Sequence, residues 1–176
     1  MKQIYAITLT LLLLISSATA QRGNNSEEVK NAMSKLTVLN GIWQGSGWMM
    51  SAKREKNNSQ MTETLTWKLD NTILLIEGVG KDDSGNVVHN ALATVFYDTK
   101  EKTYRMHSHL SDGNWTDATF EVIEDNKKFK WTIETRGASI MYTLTIENGT
   151  WTEEGSYSRA GMDEPMKFFE MTLVKK

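Results

Sequence analysis

The chain has 176 residues, a formal net charge of −2, no cysteine and a single proline. Lack of cysteine removes disulfides, thiolate metal sites and cysteine nucleophiles together. The near-neutral charge, with no basic run beyond the Lys127-Lys128 pair and the Lys175-Lys176 tail, argues against nucleic acid as a partner.

Met1-Lys2-Gln3 opens the chain, an apolar run extends from Ile4 to Ile15, and Ala18-Thr19-Ala20 follows as an A-x-A site. This pattern reads as a signal peptide over residues 1–20, so the chain is expected to be exported to the periplasm or beyond. The apolar run is too short for a stable membrane helix, and no cysteine follows the cleavage site to carry a lipid. The mature protein is expected to have no membrane span.

Residues 21–40 form a polar tail and a short helix. Asn25 or Ser26 can cap it, Glu27 and Glu28 suit the positive end of its dipole, and Val29, Ala32, Met33 and Leu36 recur at helical spacing. The helix should end near Asn40-Gly41.

From Gly41 onward the period changes to two, with turn signals every ten to twelve residues. Ile42 to Met50 reads as the first strand and Ser51 to Ser59 as a polar loop. Met61, Glu63, Leu65, Trp67 and Leu69 then share one strand face, opposite Thr62, Thr64, Thr66 and Lys68. Asp70-Asn71 turns into Thr72 to Gly80, and the Asp82 to Asn86 segment turns into Val87 to Tyr97. Further strands run from Lys102 to Leu110 and from Trp115 to Ile123, followed by strands around Phe129, Trp131 and Ile133 and around Ile140 to Ile146. Asn148-Gly149 is a strong hairpin signal before Thr150 to Arg159. Pro165 stands at the mouth of the last strand, Met166 to Val174, where it interrupts no ladder.

About ten sequential strands on short hairpins predict an all-β fold over residues 41–176: a single up-and-down antiparallel barrel with one short N-terminal helix. Closure removes both sheet edges, and a barrel of this strand number has room for a ligand.

The segment Leu39-Asn40-Gly41-Ile42-Trp43-Gln44-Gly45-Ser46-Gly47 resembles the start of the first strand in the calycin superfamily of lipocalins, fatty-acid-binding proteins and nitrobindin-like barrels. Phe96-Tyr97-Asp98 through Tyr104-Arg105, and Phe169 to Leu173, resemble a secreted bacterial lipocalin-like family of unknown function. The resemblance covers about Leu39 to Lys176. It implies that Trp43 closes one barrel end against a late-strand basic residue, for which Lys175 and Arg159 are the candidates. The haem-binding members use a late-strand histidine, whereas His89, His107 and His109 all lie earlier, so no cofactor is carried over.

Several residues are candidates for a ligand site. If Trp43 points inward, Gly45 and Gly47 do too, and they either open space for a ligand or bend the strand for closure. Glu63 sits on an apolar face, where a carboxylate must be paired, hydrogen-bonded or protonated. Trp151, Glu153, Gly155, Tyr157 and Arg159 share a face, so Arg159 can supply the countercharge if that face is interior. Glu63, Glu153, Tyr157 and Arg159 then form a polar patch that orients a ligand; the alternative is a rim position or a structural ion pair for Glu63. Trp67, with Trp48, Trp115, Trp131, Trp151 and the ten methionines, can line a cavity or simply pack.

Arg105, His107 and His109 share one face of their strand, opposite Tyr104, Met106, Ser108 and Leu110; the apolar pattern favours an exterior or rim position for them, whereas an interior one would let the two histidines approach a metal ion or carry protons. No third metal ligand follows from their spacing, and no catalytic motif is present, so no metal and no catalytic residue is assigned. The function expected is binding of a small apolar or amphipathic molecule. The alternatives are an enzyme using an interior Glu or His as general acid or base, with Arg159 or Arg105 orienting an anionic substrate, and a structural or protein-interaction barrel.

Overall fold

A computed structural model describes residues 26–176; the signal peptide expected over residues 1–20, the polar tail to residue 25 and the capping alternative at Asn25 lie outside the described residues. Helix α1 covers residues 26–33 and continues as a 3-10 turn over Ser34–Leu39. The strands are β1 (Gly41–Met50), β2 (Lys56–Lys68), β3 (Ile73–Lys81), β4 (Val87–Asp98) and β5 (Thr103–Leu110). They continue with β6 (Trp115–Glu124), β7 (Lys128–Thr135), β8 (Ala138–Glu147), β9 (Thr150–Arg159) and β10 (Met166–Lys175). Each strand pairs antiparallel with the next, and β1 pairs with both β2 and β10, so the up-and-down barrel is closed.

The alternation decides what faces inward. Trp43, Met61, Leu65, Leu74, Val95, Phe120, Phe129, Leu144, Trp151 and Leu173 are all buried, while the intervening threonines, lysines and glutamates face solvent or the partly exposed outer surface. At Asn148-Gly149 both residues have positive φ, 51° and 74°, as a two-residue hairpin turn requires. The long polar loop expected over Ser51 to Ser59 is shorter, because Lys56 to Ser59 pair with Met50 to Gly47 and lengthen β2 to 13 residues. These residues stand where both faces meet water, so the ladder forms without an apolar face to announce it.

One end of the barrel is sealed. Met33, Leu36 and Leu39 turn inward from α1 and the 3-10 turn and join the core beside Trp43, which is 0% exposed. Trp43 Nε1 donates to the Leu39 carbonyl at 2.8 Å, and its ring meets Trp151 edge-on with centroids 5.5 Å apart. Lys175 is the basic residue over Trp43, with Nζ 5.1 Å from the ring centroid, and it also donates to the Val38 carbonyl at 3.0 Å. Asn126 in the β6–β7 turn accepts from Thr37 Oγ1 and the Val38 N–H, and Tyr104 donates to the Ala32 carbonyl. The cap is therefore held by apolar burial at its centre and hydrogen bonds at its margin.

Gly45 and Gly47 explain how β1 closes onto β10. A Cβ at Gly45 would lie 2.1 Å from the Thr172 carbonyl oxygen, and one at Gly47 would lie 2.7 Å from Met171 Cβ. The lack of a side chain at both positions thus lets β10 lie close against β1. Trp43→Ala is expected to lower the unfolding free energy by about 3–5 kcal/mol in urea denaturation. Lys175→Ala should cost less than about 1 kcal/mol, because its ammonium meets the ring beside solvent.

Candidate functional site

Above the sealed end lies a cavity of about 1010 Å³ that reaches the opposite mouth of the barrel. Its origin is an imbalance of side-chain size around the wall. On β3 to β6 the cavity wall is lined by Ile76, His89, Met106 and Phe120 and by a cluster of small residues, Gly78, Ala91, Ala93, Ser108, Thr116 and Ala118, and the register sets Gly78 beside Ala91, Ala93 beside Ser108 and Ser108 beside Thr116. Across from them, β7 to β10 contribute Trp131, Ile133, Ile140, Tyr142, Leu144, Trp151, Phe169 and Met171. Small residues on one side leave the hollow, and large ones on the other give it an apolar surface.

The large side is continuous. Phe120 stacks on Trp131 with centroids 6.2 Å apart, Trp131 stacks on Tyr142 at 5.2 Å, and Tyr142 meets Phe169 edge-on at 5.7 Å. The result is an aromatic shelf running from β6 to β10. At the mouth, Lys56 lies 3.7 Å from the Trp48 ring centroid, while Trp115 is 69% exposed and borders the opening.

Two carboxyls stand on this wall. Glu63 on β2 is 7% exposed and Glu153 on β9 is 4% exposed; both border the cavity. Gly78, facing Glu63 across the β2–β3 pair, makes its position possible, since a Cβ there would lie 2.7 Å from a Glu63 carboxylate oxygen. Glu153 Oε2 accepts a hydrogen bond from Trp151 Nε1 at 3.0 Å. Among the described residues no side chain donates to Glu63 and no cation pairs with either carboxyl. Burial therefore pushes the Glu63 pKa up to about 7. Burial, reinforced by the nearby charge of Glu63, holds the Glu153 pKa well above the usual carboxylate range, the Trp151 hydrogen bond opposing this only in part.

The remaining candidates separate. Trp43 and Trp67 belong to the core at the sealed end rather than to the cavity wall, and Gly45 and Gly47 lie against β10. Arg159 does not provide the internal countercharge: it is exposed at the mouth end of β9, and six residues of strand put it about 20 Å beyond Glu153. Tyr157, four residues along β9, is half-buried and also off the cavity wall. The polar patch thus contracts to Glu63 and Glu153.

Arg105, His107 and His109 face outward, where Arg105 is bonded to Asp117 and His107 lies edge-on to Phe96. His89 instead faces inward beside Gly80, and burial lowers its pKa, favouring the neutral ring. Sequence reasoning missed Gly78, the small positions on β4 to β6 and the shelf partners Phe120 and Tyr142. Their signal lies in cross-strand register rather than in any local motif.

Similar architecture occurs in solved structures. Over 84% of this chain and 97% of the other, the fold matches the crystal structure of Rv2717c from M. tuberculosis with a TM-score of 0.59 at 9% identity. It also matches the S-type phycobiliprotein lyase CPES from Guillardia theta, with a TM-score of 0.52 at 8% identity and the same coverage of both chains. These likenesses establish a lipocalin-like barrel fold. No family model and no curated protein sequence matches the chain.

The buried carboxyl gives stability a definite pH dependence. Glu63 titrates near 4.5 in an unfolded chain and near 7 in the folded one, so the folded state binds more protons between those values. Its contribution is full below pH 4.5 and is lost as pH rises through about 7, a change on the order of 3 kcal/mol. Glu63→Gln should therefore be more stable than the parent at pH 8 and nearly equal to it at pH 4.5, as read from urea midpoints.

Proposed function

We propose that this protein binds a small, largely apolar or amphipathic molecule inside its barrel, and that it does so after export to the periplasm or beyond. The single observation carrying the binding reading is the hollow itself, about 1010 Å³ with an aromatic shelf on one side and an open mouth. A volume of this order matches drug-sized ligands, whose sites occupy roughly 300–1,000 Å³. Leaving so much apolar surface unpacked forgoes dispersion and burial that a solid core would have, which a ligand restores.

The fold neighbours support a barrel able to house a ligand, and the phycobiliprotein lyase carries that architecture in a protein named for an activity on another protein. Acid–base catalysis draws support from two neighbouring carboxyls with raised pKa values. Binding is better supported, because no nucleophile and no substrate-orienting cation stand beside those carboxyls among the described residues. An interaction barrel would be served by a filled core, and this core is not filled.

Binding is tested with N-phenyl-1-naphthylamine, whose fluorescence rises in apolar sites. The expected result is saturable enhancement with quenching of intrinsic tryptophan emission, and at least about tenfold weaker binding in Ala91→Trp, which adds bulk to the small side of the wall. No saturable binding by this probe or by other apolar probes would remove the proposal. Export is tested separately by intact mass: protein recovered from outside the cytoplasm should begin at Gln21.

A further inference from the structure

We propose that the cavity selects amphipathic amines, seating the cationic head on the Glu63 carboxylate and the apolar body along the Phe120–Trp131–Tyr142 shelf. The proposal rests on the binding reading above and specifies its ligand class.

Glu63 is more than nine-tenths buried, borders the cavity and has no hydrogen-bond partner among the described residues. Isolated in this way, it lacks a donor, and an ammonium group brings both the donors and the opposite charge. Gly78 keeps the wall beside it clear, so the carboxylate is reached from the cavity rather than covered by its neighbour.

The other charged and titratable groups agree. Facing Glu63 from the adjoining strands are Trp43 on β1 and Gly78 on β3, neither of which titrates. Around the rest of the interior stand Glu153, Tyr142 and His89, with Tyr97 and Tyr104 toward the sealed end. Tyr142 and Tyr104 are held neutral by pKa values pushed up to about 12, and burial favours the neutral ring of His89. The cation that borders the cavity, Lys56, lies at the mouth over Trp48, while Lys175 is engaged with Val38 and Trp43 at the sealed end. A carboxylate ligand would meet two acids in this interior, and a neutral alcohol would leave a charged Glu63 without its countercharge.

Binding couples to protonation. An ammonium needs Glu63 ionised, so below about pH 7 the free protein must release the Glu63 proton before the pair forms. Affinity for an amine then weakens by up to about tenfold per pH unit below that point, and an uncharged ligand lacks this dependence.

The experiment is isothermal titration calorimetry of the mature protein with decylamine and decanoate, each below its critical micelle concentration, and with decanol below its solubility limit, at pH 8.0 and pH 5.5. Decylamine should bind at least about tenfold tighter than decanol and tighter still than decanoate at pH 8.0, with the margin over decanol shrinking at pH 5.5. In Glu63→Gln the ratio of amine to alcohol affinity should fall to near unity at pH 8.0. Should that variant not fold, the parent's pH profile across the three ligands decides alone. Equal binding of amine and alcohol at pH 8.0, tighter decanoate, or an amine preference that survives Glu63→Gln would each overturn the amine proposal while leaving ligand binding intact. No binding of any of the three would overturn the cavity reading and this proposal with it.

Discussion

Everything in this protein depends on β1 lying against β10 closely enough to complete the ring of hydrogen bonds. Gly45 and Gly47 meet that constraint by subtraction: any side chain at the first would strike the Thr172 backbone, and at the second it would strike Met171. A closed ring has no exposed strand edge to recruit another chain, which matters for a sheet protein with no disulfide. Closure also defines an inside, and only a defined inside can be left partly empty. Trp43 and the helical segment then seal one end, so the vacancy opens at the other.

The interior carboxyl shows what such a vacancy costs. A core optimised for stability alone would place an apolar residue at position 63, beside Trp43 and Leu65. Instead a carboxyl stands there, cleared by a glycine on the neighbouring strand, and it destabilises the folded chain near neutral pH. Polar groups kept in place at the expense of stability are characteristic of sites that act on something else.

Much of the fold was legible because it is periodic. Alternation at Phe129, Trp131 and Ile133, or at Ile140, Tyr142, Leu144 and Ile146, places a face inward without any long-range information. Asn148-Gly149 announced its hairpin through the positive φ angles that pair tolerates. Glu63 was legible as an acid among apolar neighbours, and Glu153 by sharing a face with Trp151. A hollow was legible from the strand number, but its small-residue wall was not, because Gly78, Ala91, Ala93, Ser108 and Ala118 come together only once four strands are set in register. Arg159 was misplaced for a related reason: sharing a strand face with Glu153 fixes direction but says nothing of depth, and the two sit at different levels of the tube. The strand character of Lys56 to Ser59 was hidden because a ladder bathed on both sides needs no apolar pattern.

The small side of the wall has a consequence for how this architecture diversifies. Ala91, Ala93 and Ala118 contribute their backbone to the ladder and little else, so the sheet is indifferent to which small side chain each carries. Adding or removing a methyl or hydroxyl there reshapes the hollow by tens of cubic ångströms while the ring, the plug and the shelf stay as they are. A lineage built on this scaffold can therefore drift from one guest to another by single-codon steps, with the mould recast and the vessel unchanged.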